Sequence, residues 1–215
     1  MKVIFLDIDG VMNSRMFYRQ RYKNRIYTCN HWRYTFRRPF ILLGIIKPTS
    51  SQNYTAPKDF YTFDHQFKRL LESTCKEKWS WLSEWCNEHD VKICVSSVWK
   101  NHFGDMEGEK HRRRPEWWGD AFTKLGFKPD TFVGITGSRR TLRGQEIQEW
   151  LDAHPEVTDY AIIDDDSDMF DHQFEKFHHI DGWFGLSPNH LYRINKQFEK
   201  SSTYGHLNKA IRGII

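Results

Sequence analysis

At 215 residues the chain has the length of one folded domain of ordinary size, or of a core domain carrying a small insertion; two full domains would be tight. Its 39% hydrophobic, 16% aromatic and 28% charged residues exclude a disordered polymer, and the longest apolar stretch, near Phe40 to Ile46, is far too short to span a bilayer. The net charge of +4 is mild, but its distribution is uneven: between Gly10 and Lys58 there are ten Lys and Arg residues and no Asp or Glu.

Val3 to Leu6 is a continuous apolar run, which predicts a central parallel strand buried on both faces, and it ends at the acidic turn Asp7-Ile8-Asp9-Gly10. Residues 12–65 follow no single period and read as an inserted segment with one or two short helices. From Gln66 to Glu88 the apolar residues fall at helical spacing, predicting an amphipathic helix broken near Trp79. Val91 to Val95 reads as a second strand ending at Ser96-Ser97. A helix opening at Trp117-Trp118, a short strand Phe132 to Ile135, a helix from Arg143 to Leu151 and a strand Tyr160 to Ile163 follow, the last ending in Asp164-Asp165-Asp166. Strands alternating with helices predict an α/β fold: a doubly wound parallel sheet in a three-layer α/β/α sandwich.

In such sheets the working groups collect at the carboxyl ends of the strands. Three strand ends here carry Asp7 and Asp9, Ser96 and Ser97, and Asp164 to Asp166. Carboxylates so clustered repel one another and invite a hard divalent cation with oxygen ligands, Mg²⁺ being the one expected, and a phosphoryl group is its natural guest. Asp164-x-Asp166-x-Asp168 with Glu175 imitates a calcium loop, but Met169 stands where that loop needs glycine. The histidines, among them His102, His111, His178 and His179, form no ligand pattern.

On these residues the chain resembles the haloacid-dehalogenase-like (HAD) phosphohydrolases. Asp7-Ile8-Asp9-Gly10 matches the family's first motif, Ser96 the second, Arg143 the third and Asp164-Asp165 the fourth. The segments Val95 to Lys100, Val133 to Thr136, Arg143 to Ile147, Ile163 to Asp168 and Asp181 to Leu186 are similar to the branch found in multi-domain RNA-repair proteins, and the chain also resembles polynucleotide 3'-phosphatase and nucleotidase-like members. The resemblance covers residues 1 to about 195 apart from the insertion.

The resemblance implies that Asp7 is the nucleophile forming an aspartyl-phosphate and that Asp9 is the general acid and base. It further implies that Ser96 binds a phosphoryl oxygen, that Arg143 stabilises charge, and that Asp7, the Asp9 carbonyl and Asp165, with Asp164 beside it, hold Mg²⁺. Ser97 competes with Ser96, and Arg139 and Arg140 compete with Arg143. The expected arrangement is one HAD-like domain over 1–215, with a basic and aromatic cap over 12–65 and a second small cap element over 99–130. Cap cations Arg15, Arg19, Arg21, Arg37 and Arg38, interleaved with aromatics, suit a nucleotide or a single-stranded RNA or DNA end. The expected function is phosphomonoester hydrolysis on such a substrate. The alternatives are a nucleic-acid-binding module with little turnover, and a small-metabolite phosphatase or phosphotransferase. No membrane association and no obligate protein partner are expected. With no CxxC among Cys29, Cys75, Cys86 and Cys94 and no signal-peptide pattern, the expected location is cytoplasmic.

Overall fold

The computed structural model describes residues 1–21, 61–107, 110–137 and 142–212. Most of the expected cap, residues 22–60 with Arg37 and Arg38, lies outside the described residues, as do Arg139 and Arg140.

In chain order the elements are β1 (Lys2–Leu6), α1 (Arg15–Arg21), α2 (Phe63–Ser73), α3 (Lys76–His89), β2 (Val91–Val95), a hairpin of β3 (Gly104–Glu107) and β4 (Lys110–Arg113), α4 (Glu116–Lys124), β5 (Phe132–Ile135), α5 (Arg143–Asp152), β6 (Asp159–Asp164), β7 (Phe177–His179) and α6 (Pro188–Arg212). Short 3₁₀ turns span Val98–Asn101 and Asp171–Lys176.

Five strands form one parallel sheet in the order β5-β2-β1-β6-β7, while β3 and β4 pair antiparallel on their own. Central β1 aligns Leu6 with Val95 of β2 on one side and with Ile163 of β6 on the other. Its apolar run is buried on both faces, as the unbroken pattern predicts. Ile4 and Leu6 join the larger core, built with Leu70, Trp79, Leu82, Trp118, Phe122, Ile194 and Phe198 from α2, α3, α4 and α6. Val3 and Phe5 enter a smaller core on the opposite face, with Ile147 and Trp150 of α5. Each such side chain taken fully from water is worth about 1.5–3 kcal/mol, so a polar substitution in β1 would be among the most damaging in the chain.

The predicted helix over Gln66 to Glu88 is two helices, and the break falls at Thr74-Cys75 rather than near Trp79. The Thr74 hydroxyl donates to the Leu70 carbonyl at 2.7 Å and accepts from the Trp79 indole N–H at 2.8 Å. Side-chain bonding of this kind competes with the backbone ladder. At the other end of α3, Asp90 takes the left-handed conformation (φ 50°), and its N–H bonds the Cys86 carbonyl, so the chain reverses straight into β2. No helix among the described residues is long and apolar enough to cross a membrane.

Candidate active site

The parallel register delivers the polar strand ends to one place. Beyond the paired residues, Asp7 N–H donates to the Ile163 carbonyl and Ser96 N–H to the Leu6 carbonyl, both at 3.0 Å, so Asp7 is flanked by the ends of β2 and β6. Asp7 and Asp164 are buried, at 4% and 1% exposure, whereas Asp9 and Asp165 are open to solvent. One carboxylate oxygen from each of Asp7, Asp164 and Asp165 lies within 4.8 Å of the others.

Gly10 makes the turn possible. Its φ of +73° is left-handed, and a Cβ there would lie 2.0 Å from Asp165 Oδ2; at Gly182 the same oxygen would be 2.5 Å away. The two glycines leave the Asp165 carboxylate the space between them. Asn13 closes the loop, accepting the Gly10 N–H at 2.9 Å and donating from Nδ2 to Asp9 Oδ1 at 2.7 Å.

Arg143 opens α5 and reaches back into the cluster. Its Nη1 donates to Asp7 Oδ1 at 3.2 Å and to the Ser96 carbonyl, and stands 3.6 Å from Asp164 Oδ2. The start of α5 is fixed from the β6 side: Asp168 takes the Arg143 N–H on its carboxylate at 3.0 Å and the Gly144 N–H on its carbonyl at 3.1 Å, while Gln173 Nε2 donates to the Gly144 carbonyl at 2.9 Å. Asp168, which imitated a calcium ligand in sequence, is spent on this helix. Of the two serines, Ser97 accepts the Trp99 N–H on its hydroxyl at 3.3 Å, and that hydroxyl favours the charged form of Asp7. The Ser96 hydroxyl is buried with no partner among the described residues.

The family model for the HAD domain in Swiss Army Knife RNA repair proteins matches residues 3–191, from β1 into α6 and across every strand of the sheet. The chain belongs to this family. No curated protein and no solved structure matched it.

In this HAD domain burial sets the electrostatics. It pushes Asp7 up to about 6 from 3.8; Arg143 and the Ser97 hydroxyl pull against that shift, and Asp9 and Asp165 add to it. Burial, then the Asp7 charge, pushes Asp164 up to about 7, against Arg143 and the Asp166 N–H. Asp165 also rises, chiefly because its carboxyl is partly desolvated among its neighbours although the residue as a whole is exposed. Stacked carboxylates held partly out of water store a demand for positive charge that one guanidinium does not fill.

Of the expected cap cations, Arg15, Arg19 and Arg21 lie exposed on α1, whose first turn is capped by the Ser14 hydroxyl accepting the Phe17 N–H at 3.2 Å. The α1 backbone touches the site's far wall: Arg15 N–H and Met16 N–H donate to the Gly182 and Trp183 carbonyls at 3.0 Å. Sequence reasoning missed Asn13, Lys78 and Lys100. The Lys78 ammonium, buried at 5% exposure, donates to the Val11 carbonyl at 3.2 Å and the Phe184 carbonyl at 2.7 Å, tying the loop after β1 to the loop after β7. A lone Asn or Lys carries no periodic signal, so only the fold exposes these roles. Of the histidines, His179 Nε2 meets the Asp165 carbonyl at 3.2 Å, and His102 and His178 bond Gln66 and Gln197.

Proposed function

We propose that this HAD domain is a Mg²⁺-dependent phosphomonoesterase of RNA repair, working through an aspartyl-phosphate on Asp7 and acting on the terminal phosphate of a nucleotide or nucleic-acid end. The observation that carries the reading is the Arg143 guanidinium bonded to Asp7 beside three converging carboxylates. The donor set fits a hard divalent cation: all ligand atoms are oxygens, and Asp164 Oδ2 is buried without a hydrogen-bond partner among the described residues. Asp7, Asp164 and Asp165 would hold it, and when bound it would neutralise charge on Asp7 and on the phosphoryl oxygens.

In the first step an Asp7 carboxylate oxygen attacks phosphorus in line. The P–O bond to the leaving group breaks, and Asp9 gives that oxygen its proton. Asn13, bonded to Asp9 Oδ1, holds the acid over the leaving group. Asp9 then takes a proton from water, whose oxygen attacks phosphorus and releases inorganic phosphate and free Asp7. Arg143 stabilises the equatorial charge, and the unpartnered Ser96 hydroxyl supplies a donor to a phosphoryl oxygen, while Ser97 keeps the Asp7 carboxylate aimed.

A groove of about 550 Å³ between α1, α3 and the loop after β7 supports a nucleotide substrate. Phe17, Gln20 and Arg21 of α1, Lys78 and Trp81 of α3, and Phe184 line it. Trp81 and Phe184, 38% and 58% exposed, offer aromatic faces to a base, and Arg21, across the groove from Glu77, offers a cation to a phosphate.

The test is hydrolysis of 3'- and 5'-phosphorylated oligonucleotides and of a generic aryl phosphate, with Mg²⁺ and with chelator. Turnover by the wild type that disappears in Asp7→Asn and with chelator is the expected result. No turnover of any of these with any of several divalent metals sinks the reading. A salt series on binding then separates a polymer end, which gives a steep loss of affinity, from a small phosphate ester, which does not.

A further inference from the structure

A second pair of buried charges stands behind Arg143. Lys100, in the turn that follows Ser96 and Ser97, has a side chain 5% exposed, and its ammonium donates to Glu146 Oε2 and, at 3.2 Å, to Thr136 Oγ1. Thr136 Oγ1 donates to the same Glu146 oxygen at 3.2 Å. Glu146, 8% exposed, lies in the first turn of α5, three residues after Arg143. Neither charge touches the Asp7 cluster, and the chemistry proposed above uses neither.

An ion pair in a protein interior is a poor stabiliser, because taking two charges out of water costs about what their attraction returns. Apolar side chains of similar volume would hold these elements together as well. What an ion pair adds is direction. The turn after β2, the residue after β5 and the start of α5 meet at this cluster, and Leu142 offers α5 no side-chain cap. Asp168 and Gln173 fix the helix start from the β6 side. On the β2 side the ties are the Arg143 bond to the Ser96 carbonyl and the Lys100–Glu146–Thr136 cluster. Arg143 has a long flexible stem, so its position over Asp7 is only as definite as the turn that carries it.

We infer that the Lys100–Glu146 pair is a positioning element, locking the first turn of α5 to the Ser96-Ser97 turn so that the Arg143 guanidinium is held against Asp7. The pair never meets substrate; it acts through Arg143. Misplacing a charge-stabilising group by about an ångström costs on the order of a hundredfold in rate, which is reason to retain a directional contact that the fold itself does not need.

The test is the double variant Lys100→Met/Glu146→Leu in the full chain, which removes both charges at similar volume. The expected result is a melting temperature within a few degrees of wild type, kcat lower by about tenfold or more with KM within about twofold, and an Arg143–Asp7 contact broken in the variant's crystal structure. The same double substitution made on Arg143→Ala should cost little further, because both changes remove one effect. A folded double variant with wild-type kcat overturns the inference, as does one that keeps the Arg143–Asp7 contact, or full additivity with Arg143→Ala. If the double variant does not fold, Glu146→Gln keeps an acceptor for Lys100 without the charge. It is expected to lower kcat by about threefold or more at unchanged KM, and wild-type kcat there overturns the inference equally. The kinetic readout rests on the phosphatase reading. A wild type without turnover defeats that reading, while the Arg143–Asp7 contact in the variant still decides the positioning role.

Discussion

Arg143 Nη1 and Asp7 Oδ1 meet at 3.2 Å across 136 residues of chain. The contact exists because β1 lies at the centre of a parallel sheet and α5 enters the site from the face opposite the larger core. Arg143→Ala should reduce kcat by about 10²–10³ with little change in KM, since a cation aimed at developing charge acts on the transition state. Steady-state kinetics on a phosphorylated oligonucleotide measure this, and a loss of less than about threefold would remove Arg143 from the mechanism.

Asp7→Asn should abolish turnover, by about 10³-fold or more, and at the same time raise the melting temperature of the metal-free protein. Removing one of several crowded carboxylates relieves repulsion that the fold otherwise carries. Calorimetry without and with Mg²⁺ reads both effects, and the variant should lose most of the stabilisation that Mg²⁺ gives the wild type. A variant less stable than wild type without metal contradicts this account of the cluster.

The pH dependence follows from the same crowding. Asp7 and Asp164 are raised to about 6 and about 7, so the folded protein binds their protons more tightly than the unfolded chain does. Their contribution to stability is therefore fully present below the ordinary carboxylate range and is lost as pH rises through about 6 to 7. The two protons belong to the pair rather than to single residues. Mg²⁺ competes with them, so the rise in melting temperature on adding Mg²⁺ should be larger at about pH 8 than at about pH 5. An equal rise at both values would contradict it.

Gly10→Ala should cost about 1–2 kcal/mol from the left-handed backbone alone. It should weaken Mg²⁺ binding as well, because the new methyl would occupy the space of the Asp165 carboxylate. Chemical denaturation and a Mg²⁺ titration monitored by tryptophan fluorescence separate the two. Unchanged metal affinity would mean that Asp165 is no ligand.

Trp81→Ala tests the groove. Stacking of one base on an aromatic ring is worth about 1–3 kcal/mol, so kcat/KM for a phosphorylated oligonucleotide should fall by about tenfold relative to that for acetyl phosphate, which has no ring. An unchanged ratio removes the groove from substrate binding.

The strands were legible where burial on both faces writes an apolar run, continuous in Val3 to Leu6 and Tyr160 to Ile163 and broken by Lys92 in Val91 to Val95. β7 was not, because Phe177-His178-His179 is three residues long and leans on β6 for its whole definition. α6 was hidden for another reason: among its described side chains, Leu191, Ile194 and Phe198 are the deeply buried apolar ones, spaced along a polar helix. In the site, Asp7, Arg143, Asp164 and Asp165 could be nominated from strand ends and motif order, and they meet in space. Asn13, Lys100 and Glu146 could not, since a single amide or an isolated Lys and Glu 46 residues apart look like ordinary surface chemistry until the fold buries them.

The central place of β1 has a dynamic consequence. Amide protons exchange first where a sheet has an unpaired edge, among the described strands at β5 and β7, and last where a strand is bonded on both sides. Among the described strands, β1 alone has two partners that are each paired in turn to a further strand, so the frame of Asp7 is expected to open with the unfolding of the whole sheet. The edges can breathe while Asp7 stays registered.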